Sequence, residues 1–197
     1  MNRKSLAVFL SKLKSIKDDE RKEQHQTNSE IAATILWIMH MNGDIEGKTT
    51  ADFGAGNGIF GIGCLELNAK KIYFVENDEN NLKILEENLE GMKNFEIIDD
   101  DVKNFNEKAD VVVQNPPFGV RIKHLDKKFL KKAMETANKI YSVHKIESKS
   151  FIEKFSKGNN FKAELLMQFD FGLKKQKTYH KKKVHYVKCG VWKLERQ

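Results

Sequence analysis

Four short stretches of this chain have residue types and spacing that could do chemistry. The first is Asn115-Pro116-Pro117-Phe118, which holds both prolines among 197 residues. Proline has no N–H, fixes its own φ and holds the preceding residue extended. The apolar run 109–114 must therefore end as a strand there, leaving the Asn115 amide and the Pro116 carbonyl beyond it. Open α/β sheets bind their ligands at that carboxyl end. The second stretch is Asp52-Phe53-Gly54-Ala55-Gly56-Asn57-Gly58, whose glycines let a backbone turn tightly and approach a ligand at a helix N-terminus. The third is Glu76, closing Phe74-Val75-Glu76-Asn77-Asp78, where a carboxylate can accept both hydroxyl protons of a ribose. The fourth is Asp99-Asp100-Asp101-Val102. A carboxylate there can accept from an adenine amine while Val102 packs on the ring.

The glycine loop alone leaves the nucleotide open. Gly56-x-Gly58-x-x-Gly61, with Glu76 about 20 residues on, also fits a dinucleotide fingerprint. NAD and S-adenosylmethionine both remain candidates at this level.

Elements able to position these residues follow from the apolar periodicity. Leu6, Phe9, Leu10, Leu13 and Ile16 predict an amphipathic helix over 4–17. A charged connector leads to a second helix, capped by Asn28 or Ser29 and stopped at Gly43. Strands over 49–53, 71–75, 95–98 and 109–114 alternate with helices over 59–68, 80–89 and 126–139. A fifth strand at 140–143 and a helix at 148–155 follow. That alternation implies a parallel sheet. Every odd position from Phe161 to Leu173 is apolar, the period of a half-buried strand, and another strand spans 184–194. Two strands with no helix between them must pair antiparallel. The expected fold is α/β: a Rossmann-like, seven-stranded, mostly parallel sheet with a C-terminal antiparallel hairpin and helices on both faces. Residues 1–27 form an N-terminal helix and cofactor-covering segment, and 28–197 the main domain.

The net charge of +7, from 35 basic against 28 acidic side chains, favours a polyanionic partner. Cys64 and Cys189 lie far apart, with no metal-ligand spacing, which argues against a disulfide framework or a zinc site and fits a reducing cytoplasm. No apolar run reaches membrane-spanning length. The expectation is a soluble, cytoplasmic protein with no metal and no membrane partner.

Together the four stretches resemble a class I S-adenosylmethionine-dependent methyltransferase of the amino-methylating kind. Three further segments narrow the resemblance to the ribosomal RNA adenine-N6 methyltransferases called methyltransferase-like protein five. They are Glu23-Gln24-His25-Gln26-Thr27, Tyr141-Ser142-Val143-His144-Lys145 and Tyr179-His180-Lys181-Lys182-Lys183. The resemblance implies that Gln24, Thr27, Gly54, Asn57, Ile59, Glu76, Asp101 and Val102 line the cofactor pocket, with Asp52 and Gly56 in the same loop. His25 stands where the family has another aromatic, and Glu76 where it has Asp. Ala55 and Asn57 replace cysteines found in the family's glycine loop.

The expected chemistry is methylation of an adenine N6 amine in structured RNA, most naturally small-subunit rRNA. An exocyclic amine is a poor nucleophile because its lone pair is delocalised into the ring. The Asn115 side-chain oxygen and the Pro116 carbonyl would each accept one N–H, drawing the amine towards tetrahedral geometry. Pro117 stiffens the turn, and Phe118 would stack on an extruded base, a contact worth ~1–3 kcal/mol. Arg121, Lys123, His144, Lys145, His180, Lys181, Lys182 and Lys183 are the expected RNA contacts. The resemblance also implies a small zinc-binding activator subunit, adding to the edge strand from Phe95 to Ile98. The alternative is a glutamine-amide methyltransferase acting on a translation release factor, since an amide nitrogen poses the same problem. A cofactor-holding RNA-binding module and an NAD-dependent oxidoreductase rank below both.

Overall fold

The computed structural model describes residues 1–16, 26–117, 125–174 and 184–197. Seven strands form one sheet in the order β3-β2-β1-β4-β5-β7-β6. β1 (Thr49–Phe53), β2 (Lys71–Glu76), β3 (Phe95–Asp99), β4 (Val111–Gln114) and β5 (Lys139–Lys145) run parallel. β7 (Val184–Arg196) is antiparallel to β5 and to β6 (Phe161–Lys174), closing the sheet with the expected hairpin. The chain winds outward from β1 to β3 and then returns to lay β4 against the other side of β1. That reversal is a topological switch point, and crevices open there at the strands' carboxyl ends.

Alternate residues of the buried strands feed two cores. Val111 and Val113 join Leu6, Leu10, Ile35, Leu36 and Met39 on one face, beneath α1 (Arg3–Leu10), α2 (Ser29–Met41), α3 (Ile59–Glu66) and α4 (Glu79–Asn88). Val112 joins Leu130, Ala133 and Met134 on the other, beneath α5 (Leu125–Thr136) and α6 (Lys149–Gly158). Each of the larger aliphatic side chains among them contributes ~1.5–3 kcal/mol when fully buried. Asn28 caps α2 by accepting from the Ile31 N–H at 2.9 Å, and Gly43 leaves it at φ 70°. In α3, a Cβ on Gly61 would collide with Phe74 and Ile72, and one on Gly63 with Leu36. The two glycines let this helix lie close on both β2 and α2.

Two expectations change. The first helix stops at Leu10 rather than running on to residue 17. In a continuing helix the Lys14 N–H would bond the Leu10 carbonyl, but here it donates to Asn88 Oδ1 at 2.8 Å. A partner 74 residues away wins the donor. The unbroken odd-position pattern of 161–173 also conceals a β-bulge. Leu165 pairs with Trp192, yet Met167 pairs with Val191, so Leu166 is extra and the strand's side chains exchange faces. Ala163 and Leu165 pack on the second core, whereas Leu166, Met167 and Phe169 pack on the first. No described helix is long and apolar enough to cross a membrane.

Candidate active site

A cavity of about 270 Å³ opens at the carboxyl ends of β1, β2 and β4. The glycine loop forms its floor. Gly54, Gly56 and Gly58 all have positive φ, 68°, 58° and 83°, a conformation that side-chain-bearing residues rarely adopt. The loop is tied to β2 by the Gly54 and Ala55 N–H groups, which donate to the Val75 carbonyl at 2.9 and 3.1 Å. Ile59, Val102 and Phe129 supply apolar wall. Phe129 approaches closely enough that a Cβ on Gly54 would sit 3.3 Å from its ring.

Glu76 is 6 % exposed and lines the cavity. Its Oε2 accepts from the Gly56 N–H at 2.8 Å, and its Oε1 from the Asn77 and Asp78 N–H groups, both at 2.9 Å. The fourth acceptor position of the carboxylate takes Asn81 Nδ2 at 3.4 Å, the longest of the set. The expected two-oxygen grip on a ribose therefore does not stand vacant, because the carboxylate is already gathering backbone donors. Only the Asn81 contact is weak enough to yield easily.

Asp52 differs from expectation, and Asn57 lines the cavity as expected but with its side chain already engaged. Asp52 is buried, accepts from the Gly61 N–H at 2.9 Å in the first turn of α3, and is absent from the cavity wall. Burial pushes its carboxyl up to about 8, opposed by the Gly61 hydrogen bond and assisted by the nearby Glu76 charge. Asn57 lines the cavity but is 1 % exposed, and its Nδ2 donates to the Lys14 carbonyl at 3.0 Å. Asn88 Nδ2 donates to the same carbonyl at 3.1 Å and to the Asn57 carbonyl at 3.0 Å. These two asparagines clasp the segment after α1 across the glycine loop, bringing Ile16 to the cavity beside Gly56. The Ile16 N–H donates to Gln26 Oε1 at 3.0 Å, and Gln26 lines the cavity as well.

Asp101 lines the cavity as expected and caps the short turn Val102–Asn104 by accepting from the Lys103 N–H at 2.9 Å. Asp100, in the same acidic stretch, lies on the wall too. Hydrogen bonds from Asn104 and from the Asp101 N–H hold its carboxyl below the usual range.

Asn115, Pro116 and Pro117 form the wall at the end of β4. Asn115 Nδ2 donates to Thr27 Oγ1 at 2.9 Å. Its Oδ1 is buried and has no hydrogen-bond partner among the described residues. Buried acceptors are rarely left unmade, and this one belongs to the residue the sequence singled out for accepting an amine proton. Thr27 is itself buried, so the segment before α2 joins the cavity floor to the β4 loop.

The expected RNA contacts divide. His144 is 2 % exposed, set edge-on to Trp192 with ring centroids 5.9 Å apart, and burial pushes its imidazole down to about 3. It is core rather than RNA surface, a correction that follows from Trp192 arriving on β7. Tyr141, in the same segment, donates to the buried Asp44 at 2.7 Å on the other face of the sheet. Lys145 stands half-buried at the end of β5. Gln24, Phe118, Arg121, Lys123, His180, Lys181, Lys182 and Lys183 lie outside the described residues. Sequence reasoning missed Ile16 and Phe129, whose helical spacing marked them only as apolar-face residues.

Residues 28–142 match the model of the methyltransferase small domain. The rRNA N(6)-adenosine-methyltransferase METTL5 of Danio rerio is 32 % identical, over 82 % of this chain and 82 % of its own. Its Drosophila melanogaster counterpart is 29 % identical, over 88 % and 86 %. A crystal structure from Pyrococcus horikoshii, assigned as an RNA methyltransferase, superposes with a TM-score of 0.91 at 38 % identity, covering 100 % of this chain and 98 % of that one.

Proposed function

Because the chain belongs to the methyltransferase small domain family, we propose that it transfers a methyl group from S-adenosylmethionine to the N6 amine of an adenine in structured RNA, small-subunit rRNA in particular. The cavity suits the donor. Gly54 and Gly56 expose backbone, Ile59, Val102 and Phe129 offer apolar faces for an adenine ring, and Glu76 and Asp101 supply carboxylates for ribose and base. When bound, S-adenosylmethionine supplies an electrophilic sulfonium methyl, so the protein's task is to prepare the amine. The ribose grip rests on Glu76 exchanging its long Asn81 contact for a hydroxyl donor.

The observation that carries this reading is the open Oδ1 of Asn115. Thr27 anchors the amide nitrogen, which leaves the oxygen as the side chain's unused acceptor. One N–H of the target amine bonds that oxygen and the other bonds the Pro116 carbonyl. The nitrogen lone pair is then turned out of conjugation and aimed at the methyl. Such positioning needs no strong general base. Phe118 stacks on the extruded base, and Arg121, Lys123, Lys145, His180 and Lys181 to Lys183 hold the RNA backbone, supported by the net charge of +7.

An activator subunit of zinc-binding type would extend the sheet at β3, an edge strand whose Phe95 and Ile97 are only half-buried. The two free, buried cysteines fit work in the cytoplasm. Transfer of labelled methyl to total RNA, followed by nucleoside analysis, tests the function. The expected product is N6-methyladenosine. Label appearing in release-factor protein instead of RNA would overturn the reading.

A further inference from the structure

Behind Asn115, on the face away from the first core, three buried polar side chains form a line across the sheet. Gln114 is the last residue of β4 and pairs in register with Ser142 of β5. Gln114 Nε2 donates to Ser142 Oγ at 3.0 Å, and Ser142 Oγ lies 2.6 Å from His144 Nε2. All three residues are at least 98 % buried.

The Gln114 end of this line has a fixed direction. An amide nitrogen only donates, so Ser142 Oγ accepts from Gln114 and has its own hydrogen left for His144. A hydroxyl could also accept from an Nε2–H; in the order taken here Ser142 Oγ donates to His144 Nε2, which places the imidazole proton on Nδ1. Burial keeps the ring neutral, in line with its depressed pKa, so the arrangement holds across the working pH range. Anchoring its nitrogen in this way leaves Gln114 Oε1 buried without a partner among the described residues. The next residue repeats the pattern, with Asn115 Nδ2 on the Thr27 hydroxyl and Oδ1 unpaired. Two consecutive amides are thus each fixed through nitrogen by a hydroxyl, one on each side of the chain.

We infer that Ser142 and His144 are positioning residues for the methyl-transfer step, acting through Gln114 to hold the Gln114–Asn115 peptide so that Asn115 Oδ1 and the Pro116 carbonyl face the amine together. Neither residue touches substrate. The inference rests on the proposed role of Asn115, and its failure is separable from failure of that role. A wild-type protein that forms no N6-methyladenosine removes the role. A fully active wild type with an unaffected Ser142 variant removes only the inference.

The test compares Ser142→Ala, Gln114→Met and the double variant under saturating RNA and donor, alongside Ser142→Thr and His144→Gln. Ser142→Ala and Gln114→Met each lower kcat about 10–10²-fold with both KM values unchanged, since a 1 Å misplacement of a reacting geometry can cost ~10²-fold. The double variant loses no more than either single, because both cut one chain. Ser142→Thr keeps the hydroxyl and His144→Gln keeps an acceptor near the Nε2 position, so both stay within about threefold of wild type, well short of the ~10²-fold that a 1 Å misplacement can cost. Unchanged kcat in either single variant, a multiplicative loss in the double, or a loss confined to KM overturns the inference. A measurement on the unaltered protein stands if a variant fails to fold. The ¹⁵N spectrum of His144 at neutral pH shows a protonated Nδ1 and a bare Nε2, and a protonated Nε2 would refute the chain.

Discussion

The two ends of the crevice treat their polar atoms in opposite ways. At the glycine loop, Glu76 takes three backbone N–H groups and Asn57 holds the Lys14 carbonyl. Asp52 meanwhile holds the Gly61 N–H. At the end of β4, two successive amides leave their oxygens buried and unpaired among the described residues. An unmade buried acceptor costs about 1–3 kcal/mol, so it persists where another requirement outweighs stability. The contrast separates a donor pocket assembled by internal hydrogen bonds from a target pocket in which the Asn115 oxygen is kept unpaired.

The sharpest way to break this contrast is Asn115→Ala. Removing one preorganised hydrogen-bonding group should lower kcat about 10²–10³-fold. Affinity for S-adenosylhomocysteine, measured by calorimetry, should stay within about twofold, because the acceptor serves the transfer step and not the ground-state donor. Glu76→Ala should do the reverse. It strands buried N–H groups of the loop, so affinity should fall about tenfold or more and the melting temperature should drop, while kcat at saturating donor changes far less. Asn88→Ala releases the Lys14 N–H and leaves the Lys14 carbonyl held by Asn57 alone. It should weaken the same affinity about fivefold, in keeping with ~0.5–1.5 kcal/mol per hydrogen bond, with kcat preserved.

Asp52 bears on stability rather than on transfer. Its folded pKa, about 8, lies above the ordinary carboxyl value of 3.8. The unfolded chain therefore releases this proton first, and the stability contribution is full below pH ~4 and lost progressively as pH rises to ~8. Asp52→Asn keeps an acceptor for Gly61 and removes the buried charge. It should melt a few degrees higher than wild type at pH 8.5 and show no such gain at pH 4, by calorimetric scanning.

Local signals made much of this legible. The first strand falls at Thr49–Phe53 as its apolar run indicated, Asn28 caps α2, and the antiparallel hairpin closes the sheet. The four chemistry-bearing stretches converge at one crevice because each ends a parallel strand. Distant partners decided what stayed illegible. The end of α1 depends on Asn88, the burial of His144 on Trp192, and the anchoring of Asn115 on Thr27. The bulge at Leu166 was hidden because its apolar neighbours satisfy either face of the sheet. Glu76 sits where expected, but its bonds to Gly56, Asn77 and Asp78 depend on loop curvature that composition does not report.

The most direct test of the open-acceptor claim is a crystal structure with S-adenosylhomocysteine and adenosine bound. The account predicts the adenine N6 within ~2.7–3.2 Å of both Asn115 Oδ1 and the Pro116 carbonyl, with Asn115 Nδ2 still on Thr27. An N6 bonded elsewhere, or an Asn115 amide whose oxygen has turned to Thr27, would contradict it.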